Sequence, residues 1–167
     1  RAVTAGMLAA TLCLSGCLSS LIPEPAPADI VYRLSDIGDQ TVPSSSAIVV
    51  RIDRPSASDI LNGRGIVVSP DGVRLATAGM ARWSEPIPTL VQKSFFDALS
   101  TRADIIGVLP TSGAKTTHRA HLTIRNFEAR FDRGELSAPL IVVQYTATVS
   151  NASSRDLIGT HDVRKMV

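Results

Sequence analysis

Runs of apolar residues separated by turn-forming residues recur along the chain and predict a domain built mostly of strands. The segment 47–52 is rich in β-branched residues and bounded by turn residues, which is typical of a central strand buried on both faces. Segments 65–69 and 73–77 flank the turn sequence Ser69-Pro70-Asp71-Gly72, so they predict a hairpin. Further strands are expected at 29–34, 105–109, 119–130, 140–149 and 155–167.

The segment 119–130 alternates between apolar and polar residues but changes phase once. Its first apolar residues share one face, and the later ones fall out of step with them: Ala120, Leu122 and Ile124, then Phe127, Ala129 and Phe131. A phase shift of one residue within a strand is what a β-bulge produces. Because two more strands follow across short turns, we expect the carboxyl half to form an antiparallel meander.

One stretch has clear helical periodicity. Between Pro88 and Leu99 the apolar residues form one face, comprising Leu90, Val91, Phe95, Ala98 and Leu99. Ser84 is the expected cap of this helix, and Pro86 or Pro88 suits its first turn. A short helix or turn is expected at 59–62. Since strands and helices do not alternate regularly, the fold class is α+β (mixed α/β), a largely antiparallel sheet with one long amphipathic helix packed on it.

The amino-terminal stretch has the three parts of a secretory signal. Arg1 supplies a basic start, 2–14 is an apolar run, and Ser15 and Gly16 are the small residues at the cleavage point. The apolar run is shorter than the ~20 residues that a membrane-spanning helix needs. Cys17 follows directly, so Leu14-Ser15-Gly16-Cys17 predicts a lipobox in which the thiol of Cys17 carries the lipid.

These features divide the chain into a lipoprotein signal peptide at 1–16, a lipidated cysteine with a Pro-rich tether at 17–28, and a domain at 29–167. Prolines at alternate positions from Pro23 to Pro27 favour an extended tether. At ~3.1 Å per residue it spans about 35 Å. Because the sequence starts with Arg1 rather than Met and stops within an expected strand pair, we expect both ends to be incomplete.

Charge and cysteine content exclude several classes of function. The chain has 17 Lys and Arg against 15 Asp and Glu, and the loss of Arg1 with the signal leaves 16 against 15. Nucleic-acid binding needs a basic surface and is therefore not expected. Of the two cysteines, Cys13 leaves with the signal and Cys17 carries lipid. Neither a disulfide within the chain nor a reactive free thiol is expected.

Metal, nucleotide and catalytic sites are not expected either, and no cofactor is predicted. His118 and His121 are three residues apart in an expected strand and point to opposite faces, and His161 has no HExxH context. The sequence 113–116 (Gly-Ala-Lys-Thr) resembles the end of a phosphate-binding loop, but Ala114 separates the glycine from the lysine. No Gly-x-Ser-x-Gly elbow occurs, which leaves a periplasmic hydrolase as the weakest interpretation.

The box Arg82-Trp83-Ser84-Glu85-Pro86 precedes the predicted helix and contains the one tryptophan of the chain. Two interpretations of Trp83 are open. It is either a large aromatic anchor that packs the helix on the sheet with its N–H satisfied, or a contact surface for a partner or a lipid. Arg82 and Glu85 are expected to form a local ion pair, worth ~0–1 kcal/mol if exposed.

Together with the lipobox, Tyr32-Arg33-Leu34 and Ile66-Val67-Val68, this box resembles the ABC-type transport auxiliary lipoproteins, a family that includes paraquat-inducible protein C. The resemblance spans nearly the whole mature chain. It implies a non-catalytic, periplasm-facing lipoprotein that works with an MCE-type (mammalian cell entry) substrate-binding protein and an ABC permease in lipid or solvent transport. Candidate partner contacts are Arg82, Trp83, Glu85 and Pro86.

The expected mode of action is tethering and protein–protein contact from a lipid anchor. Leu18 follows Cys17, at a position where Asp is the usual signal for retention in the inner membrane, so we expect the outer membrane. A homo-oligomer is left open. The alternative function is a lipid-binding carrier with an apolar cavity, which the mixed apolar faces of 140–149 permit.

Overall fold

The computed structural model describes residues 28–35, 37–134 and 136–167. Within them lie nine strands, one α-helix and two short 3-10 turns. The strands are β1 (Ile30–Tyr32), β2 (Ile48–Ile52), β3 (Ser56–Ala57), β4 (Gly65–Ser69), β5 (Ala76–Trp83), β6 (Ile105–Val108), β7 (His118–Arg130), β8 (Leu140–Asn151) and β9 (Leu157–Met166). Helix α1 is Ile87–Ser100, and the 3-10 turns are Asp59–Leu61 and Pro110–Ser112.

The long strand β7 organises the sheet. One of its edges pairs in succession with β2, β3 and β4, all parallel to it. Its other edge pairs along its whole length with antiparallel β8, which in turn pairs with β9. The sheet then extends from β2 to β6 and from β4 through β5 to β1. The predicted meander of the carboxyl half and the interior position of β2 are confirmed.

The sheet is mixed, which corrects the expectation of a largely antiparallel one. Among the described residues, five of the eight strand pairings are parallel. The antiparallel pairings include the two longest, β7 with β8 and β8 with β9. Sequence periodicity reports burial and not strand direction, so it indicated the strands without fixing how they pair. The α+β class with a single long helix agrees with the structure.

The predicted bulge in β7 is present. The register of β7 against β8 shifts between Ile124 and Asn126, leaving Arg125 as the extra residue. Before the bulge Ile124 lies opposite Tyr145, and after it Phe127 lies opposite Val143. Because of the extra residue, Phe127 shares a sheet face with Ile124 although three positions separate them.

The β4–β5 hairpin forms, but its second strand begins and ends later than expected. Strand β5 starts at Ala76 and runs on to Trp83, whereas the sequence predicted a strand at 73–77. The connection is lengthened by Asp71, whose Oδ1 accepts hydrogen bonds from the backbone N–H groups of Val73 at 3.0 Å and Arg74 at 2.8 Å. Gly72 adopts φ +76° within this turn, a conformation that favours glycine. These hydrogen bonds to the Asp71 side chain keep residues 73 and 74 in the turn, so they do not pair with β4.

Helix α1 lies against the sheet and buries the start of its apolar face. Ile87 and Leu90 are buried, and the Gln92 side-chain N–H donates to the backbone carbonyl of Ile52 at 2.9 Å. The cap differs from the prediction, because Pro86 is the N-cap and makes no side-chain bond. Pro88 lies in the first turn, where a missing N–H costs no helical hydrogen bond. The adjoining buried cluster consists of Leu61, Val67, Ile87 and Ile124.

Candidate functional site

The box 82–86 joins the sheet to the helix. Arg82 and Trp83 are the last two residues of β5, and Pro86 caps α1. Backbone bonds fix the junction on both sides: the N–H of Trp83 donates to the carbonyl of Arg64, and the N–H of Ser84 to that of Tyr32, both at 2.7 Å. The box is therefore held in place by β1 and by the segment just before β4.

The two charged side chains of the box pair with other residues, so the expected ion pair between them is wrong. Arg82 Nε lies 3.4 Å from Asp29 Oδ2, just before β1. Lys93 Nζ on α1 donates to both carboxylate oxygens of Glu85, at 2.7 and 2.6 Å. Arg82 therefore ties the box to the amino-terminal segment, and Glu85 ties it to the helix. Both side chains remain partly exposed, 47% for Arg82 and 35% for Glu85.

Trp83 packs as an aromatic anchor at the edge of the core. Its ring meets Phe127 edge to face, with centroids 5.6 Å apart and planes at 70°, an arrangement that aromatic quadrupoles favour. It also contacts the buried cluster around Ile87. Its Nε1 is buried and has no hydrogen-bond partner among the described residues. The expectation that the indole N–H would be satisfied is therefore not met within this part of the chain.

An apolar groove lies beside this anchor along β7 and β8. Its first part is bounded by α1, and its second part is bounded by β4 and β5. It consists of two adjoining cavities, of about 260 and 290 Å³. Both are lined by Leu34, Phe127 and Val143. Besides these, the first is lined by Ile37, Val91, Ser94, Phe95, Ala98, Leu122, Ile124 and Tyr145, and the second by Ile66, Val67, Trp83, Glu128, Ala129 and Ile141.

The walls of this groove have little polar character. Glu128, which belongs to the wall of the second cavity, is 6% exposed, and the amide of Asn126 donates to its Oε1 at 3.3 Å. Trp83 also lines the second cavity, whereas its Nε1 is buried. Such a surface suits an apolar ligand that carries a few polar atoms. We call the two cavities together the α1–β8 groove.

Two of the three histidines, His118 and His121, have ordinary hydrogen-bond partners. His121 Nε2 lies 3.1 Å from Ser56 Oγ, and His118 Nδ1 lies 2.8 Å from Thr117 Oγ1. In the described segments, no three His, Cys, Asp or Glu residues are grouped closely enough to hold a metal ion. No helix in these segments is both long and apolar enough to cross a membrane.

The predicted anchor lies outside the described residues. This holds for the signal peptide, for the lipobox residues Leu14, Ser15, Gly16 and Cys17, and for the tether up to Pro27. The structure therefore bears only on the domain that follows them.

Sequence reasoning identified Trp83 and allowed an apolar cavity at 140–149, but it did not locate the groove beside Trp83. Phe127 and Val143 had been assigned to strands, yet their meeting depends on the β7–β8 register and on the bulge. Leu34 lies beyond the end of β1 and lines both cavities. One feature of the sequence could have indicated the groove. The apolar residues before and after the phase change in β7 form two sets, and both need apolar residues on the adjacent strand to pack against.

The described residues form a mixed sheet with one helix, and the box 82–86 joins the two. The model of the family described as ABC-type transport auxiliary lipoprotein component matches residues 32–165. The chain belongs to this family. Its members are lipoprotein auxiliaries of transporters, which agrees with the resemblance seen in the sequence.

Two solved structures have the same fold. A crystal structure of a Xanthomonas campestris protein of the DUF330 family, which is the same family, superposes with a TM-score of 0.67 at 16% identity, covering 82% of this chain and 77% of that one. A crystal structure described as an uncharacterized protein gives 0.63 at 14% identity, covering 84% and 80%. No match was found among curated proteins.

Proposed function

We propose that the protein is a lipid-anchored, periplasm-facing accessory component of an MCE-type lipid or solvent transport system with an ABC permease, and that it acts by tethering and protein contact. The observation that carries the proposal is the family match over residues 32–165, which takes in both the junction box and the α1–β8 groove. A family of transport auxiliaries supports a role beside a transporter. The transported lipid and the partners belong to the proposal.

The proposed anchor is the lipid on Cys17, followed by a Pro-rich tether to the domain. A single acyl chain gives only marginal membrane binding, whereas two or more chains hold a protein stably. With Leu18 after the cysteine, the proposed location is the periplasmic leaflet of the outer membrane. From there the domain reaches across the periplasm toward its partners.

The proposed contact with the MCE-type substrate-binding protein centres on the junction box. Arg82, Glu85 and Pro86 lie at the surface where β1, β5 and α1 meet, and hydrogen bonds fix the backbone there. Rigid polar groups around an aromatic anchor are typical of recognition surfaces. The ion pairs to Asp29 and Lys93 orient the two charges, which supports a defined rather than a diffuse contact.

One observation favours the alternative function, a lipid carrier. The α1–β8 groove is apolar and open to solvent, as a site for a lipid chain must be. A carrier and a contact protein are compatible roles for one domain.

The proposed function is tested in a strain that lacks the gene. Radiolabelled phospholipid is followed between inner and outer membranes after the strain is complemented with the wild-type chain, with Cys17→Ser or with Cys13→Ser as the matched control. We expect the wild-type and Cys13→Ser chains to restore transfer, and Cys17→Ser to leave the protein in the soluble fraction without transfer. Full transfer by an unanchored Cys17→Ser chain would contradict tethering.

A further inference from the structure

We propose that the unpaired edge of β9 pairs antiparallel with β9 of a second copy of this chain, with Asp162 of each copy opposite Arg164 of the other. The paired segment is 160–166, and the two-fold axis passes through Val163. This interface goes beyond the proposed function and does not depend on a transporter partner. It is supported by the unpaired backbone groups of β9, by the exposure of the strand and by the order of its charges.

Strand β9 has one paired and one unpaired edge. Among the described residues, β8 is the one strand that pairs with it. Ile141 and Val167 exchange both backbone hydrogen bonds, at 2.8 and 3.1 Å. Because hydrogen-bonded pairs alternate with non-hydrogen-bonded pairs along an antiparallel ladder, the odd-numbered residues of β9 turn their N–H and C=O groups toward β8. The even-numbered residues in 160–166 turn theirs to the unpaired edge, where another strand can bond to them.

The segment 160–166 has the form of a strand that can pair along its whole length. It contains neither proline nor glycine, which weaken or interrupt a ladder. The irregularity of β9 lies before it, where the register against β8 shifts between Leu157 and Gly159. Six of its seven side chains are exposed, and Val163 is half-buried. The edge is therefore accessible as well as regular.

The charges of this segment select one register. Residues directly opposite each other in an antiparallel pair lie on the same sheet face, where opposite charges stabilise the pair and like charges destabilise it. An axis through Val163 places Asp162 opposite Arg164 of the second copy, and the symmetry makes this pair twice. Moving the axis to Asp162 would set two aspartates opposite each other. Moving it to Arg164 would do the same with two arginines.

The two charged side chains are positioned for such a contact. Charged residues on an edge strand usually prevent pairing, but the signs here favour it at one register. The hydroxyl of Thr146 on β8 donates to Asp162 Oδ1 at 2.6 Å and so orients the carboxylate. Arg164 has no ion-pair partner among the described residues. A second copy supplies that partner, because one strand carries both charges and a two-fold axis closes the interface.

Cysteine cross-linking of the full chain in the oxidising cell envelope tests the pairing and its register. Val163→Cys places two thiols across the axis at a non-hydrogen-bonded pair, where Cα atoms are about 4.5 Å apart, within the range of disulfides. Lys165→Cys is the matched control, because its two thiols would lie four residues apart along the strands, roughly 13 Å. We expect at least tenfold more disulfide-linked dimer with Val163→Cys than with Lys165→Cys or the wild type.

Charge reversal tests the roles of Asp162 and Arg164. In the Val163→Cys background, either Asp162→Arg or Arg164→Asp sets like charges opposite each other, and we expect the yield of dimer to fall at least fivefold. The two changes combined restore opposite charges, so the yield should recover. Asp156→Arg makes the same change before β9, outside the paired segment, and should leave the yield unchanged. Circular dichroism verifies that each variant is folded.

Four results would overturn the assignment. Absence of dimer with Val163→Cys would mean that something other than a second copy covers the edge. Equal yields from Val163→Cys and Lys165→Cys would mean that the copies meet without a fixed register. A combined reversal with a yield as low as either single reversal would show that Asp162 and Arg164 do not lie opposite each other. A disulfide from Val163→Cys to a different envelope protein would assign the edge to that protein.

Discussion

The indole ring of Trp83 meets the phenyl ring of Phe127 edge to face, with centroids 5.6 Å apart. The contact joins the end of β5 to the part of β7 that follows the bulge. Arg125, the extra residue, brings Phe127 onto the same face as Ile124. Phe127 thereby lines both cavities of the groove and also packs against Trp83 of the junction box.

The aromatic contact predicts different effects for two substitutions of Trp83. Trp83→Ala leaves a cavity beside Phe127, and we expect a loss of about 3 kcal/mol in the free energy of unfolding. Trp83→Phe keeps most of the packing and removes a buried donor that has no partner among the described residues, so we expect a change within ~1 kcal/mol. Urea denaturation followed by circular dichroism measures both. Equal destabilisation by the two variants would show that the N–H has a partner in the folded protein.

The helix lies close to β6 at Gly107, where an added Cβ would make one tight contact that a neighbouring side chain must relieve by shifting. A Cβ there would lie 3.2 Å from Ile52 Cδ1, 3.5 Å from Phe96 Cδ2 and 3.6 Å from Leu99 Cβ. We expect Gly107→Ala to destabilise the domain by about 1–2 kcal/mol through overpacking. Gly159→Ala, on the exposed strand β9, meets nothing within 4 Å and should be neutral or slightly stabilising. Thermal unfolding compares the two variants, and the same melting temperature for both would refute the close approach.

The turn between β4 and β5 predicts a dependence of stability on acid pH. The backbone N–H groups of Arg74 and Val73, followed by the Arg74 side chain, lower the pKa of Asp71 from 3.8 to about 2. The folded state therefore prefers the charged carboxylate. This stabilisation is complete above the unfolded value of 3.8 and is lost as the pH falls toward 2.

Asp71→Asn removes the titrating group but keeps a side-chain oxygen as acceptor. We expect the free energy of unfolding of the variant to fall less steeply than that of the wild type between about pH 4 and pH 2. Urea denaturation across this range measures the slope, and carbon-detected NMR of the carboxyl group gives the pKa directly. Parallel pH profiles for the two proteins would contradict the assigned shift.

Substitutions of Glu85, which pairs with Lys93, can distinguish a structural role of the box from a role in partner recognition. The pair is partly exposed, so Glu85→Gln should change stability by less than ~1 kcal/mol. If the box contacts the partner, Glu85→Lys should weaken the complex several-fold without unfolding the domain. Asp104→Lys is the matched control, because it breaks an exposed Arg–Asp pair elsewhere. Equal effects of the two lysine variants on association would argue against a contact at the box.

Local patterns in the sequence predicted most of the elements. The β-branched run at 48–52, the helix after Pro86 and the bulge in β7 are each specified by neighbouring residues, and each is present. The parallel pairing of β2, β3 and β4 with β7 was not predictable, because it depends on which distant strands meet. The start of β5 was misplaced because the Asp71 side chain holds Val73 and Arg74 in the turn.

The candidate site was predicted only in part, for the same reason. Trp83 is conspicuous as the one tryptophan, whereas the groove beside it requires Leu34, Phe127 and Val143 to converge from three separate segments. The partners of Arg82 and Glu85 were also distant: Asp29 lies before β1, and Lys93 is two turns into the helix.

The proposed role beside an ABC transporter is tested most directly by co-purification from the cell envelope. The wild-type chain, carrying an affinity tag at its carboxyl end, is isolated after mild cross-linking, and bound proteins are identified by mass spectrometry, with Glu85→Lys as the contact variant. We predict that an MCE-type substrate-binding protein is recovered with the wild type, and much less with Glu85→Lys. Recovery of no transport component with the anchored wild-type chain would contradict the proposed function.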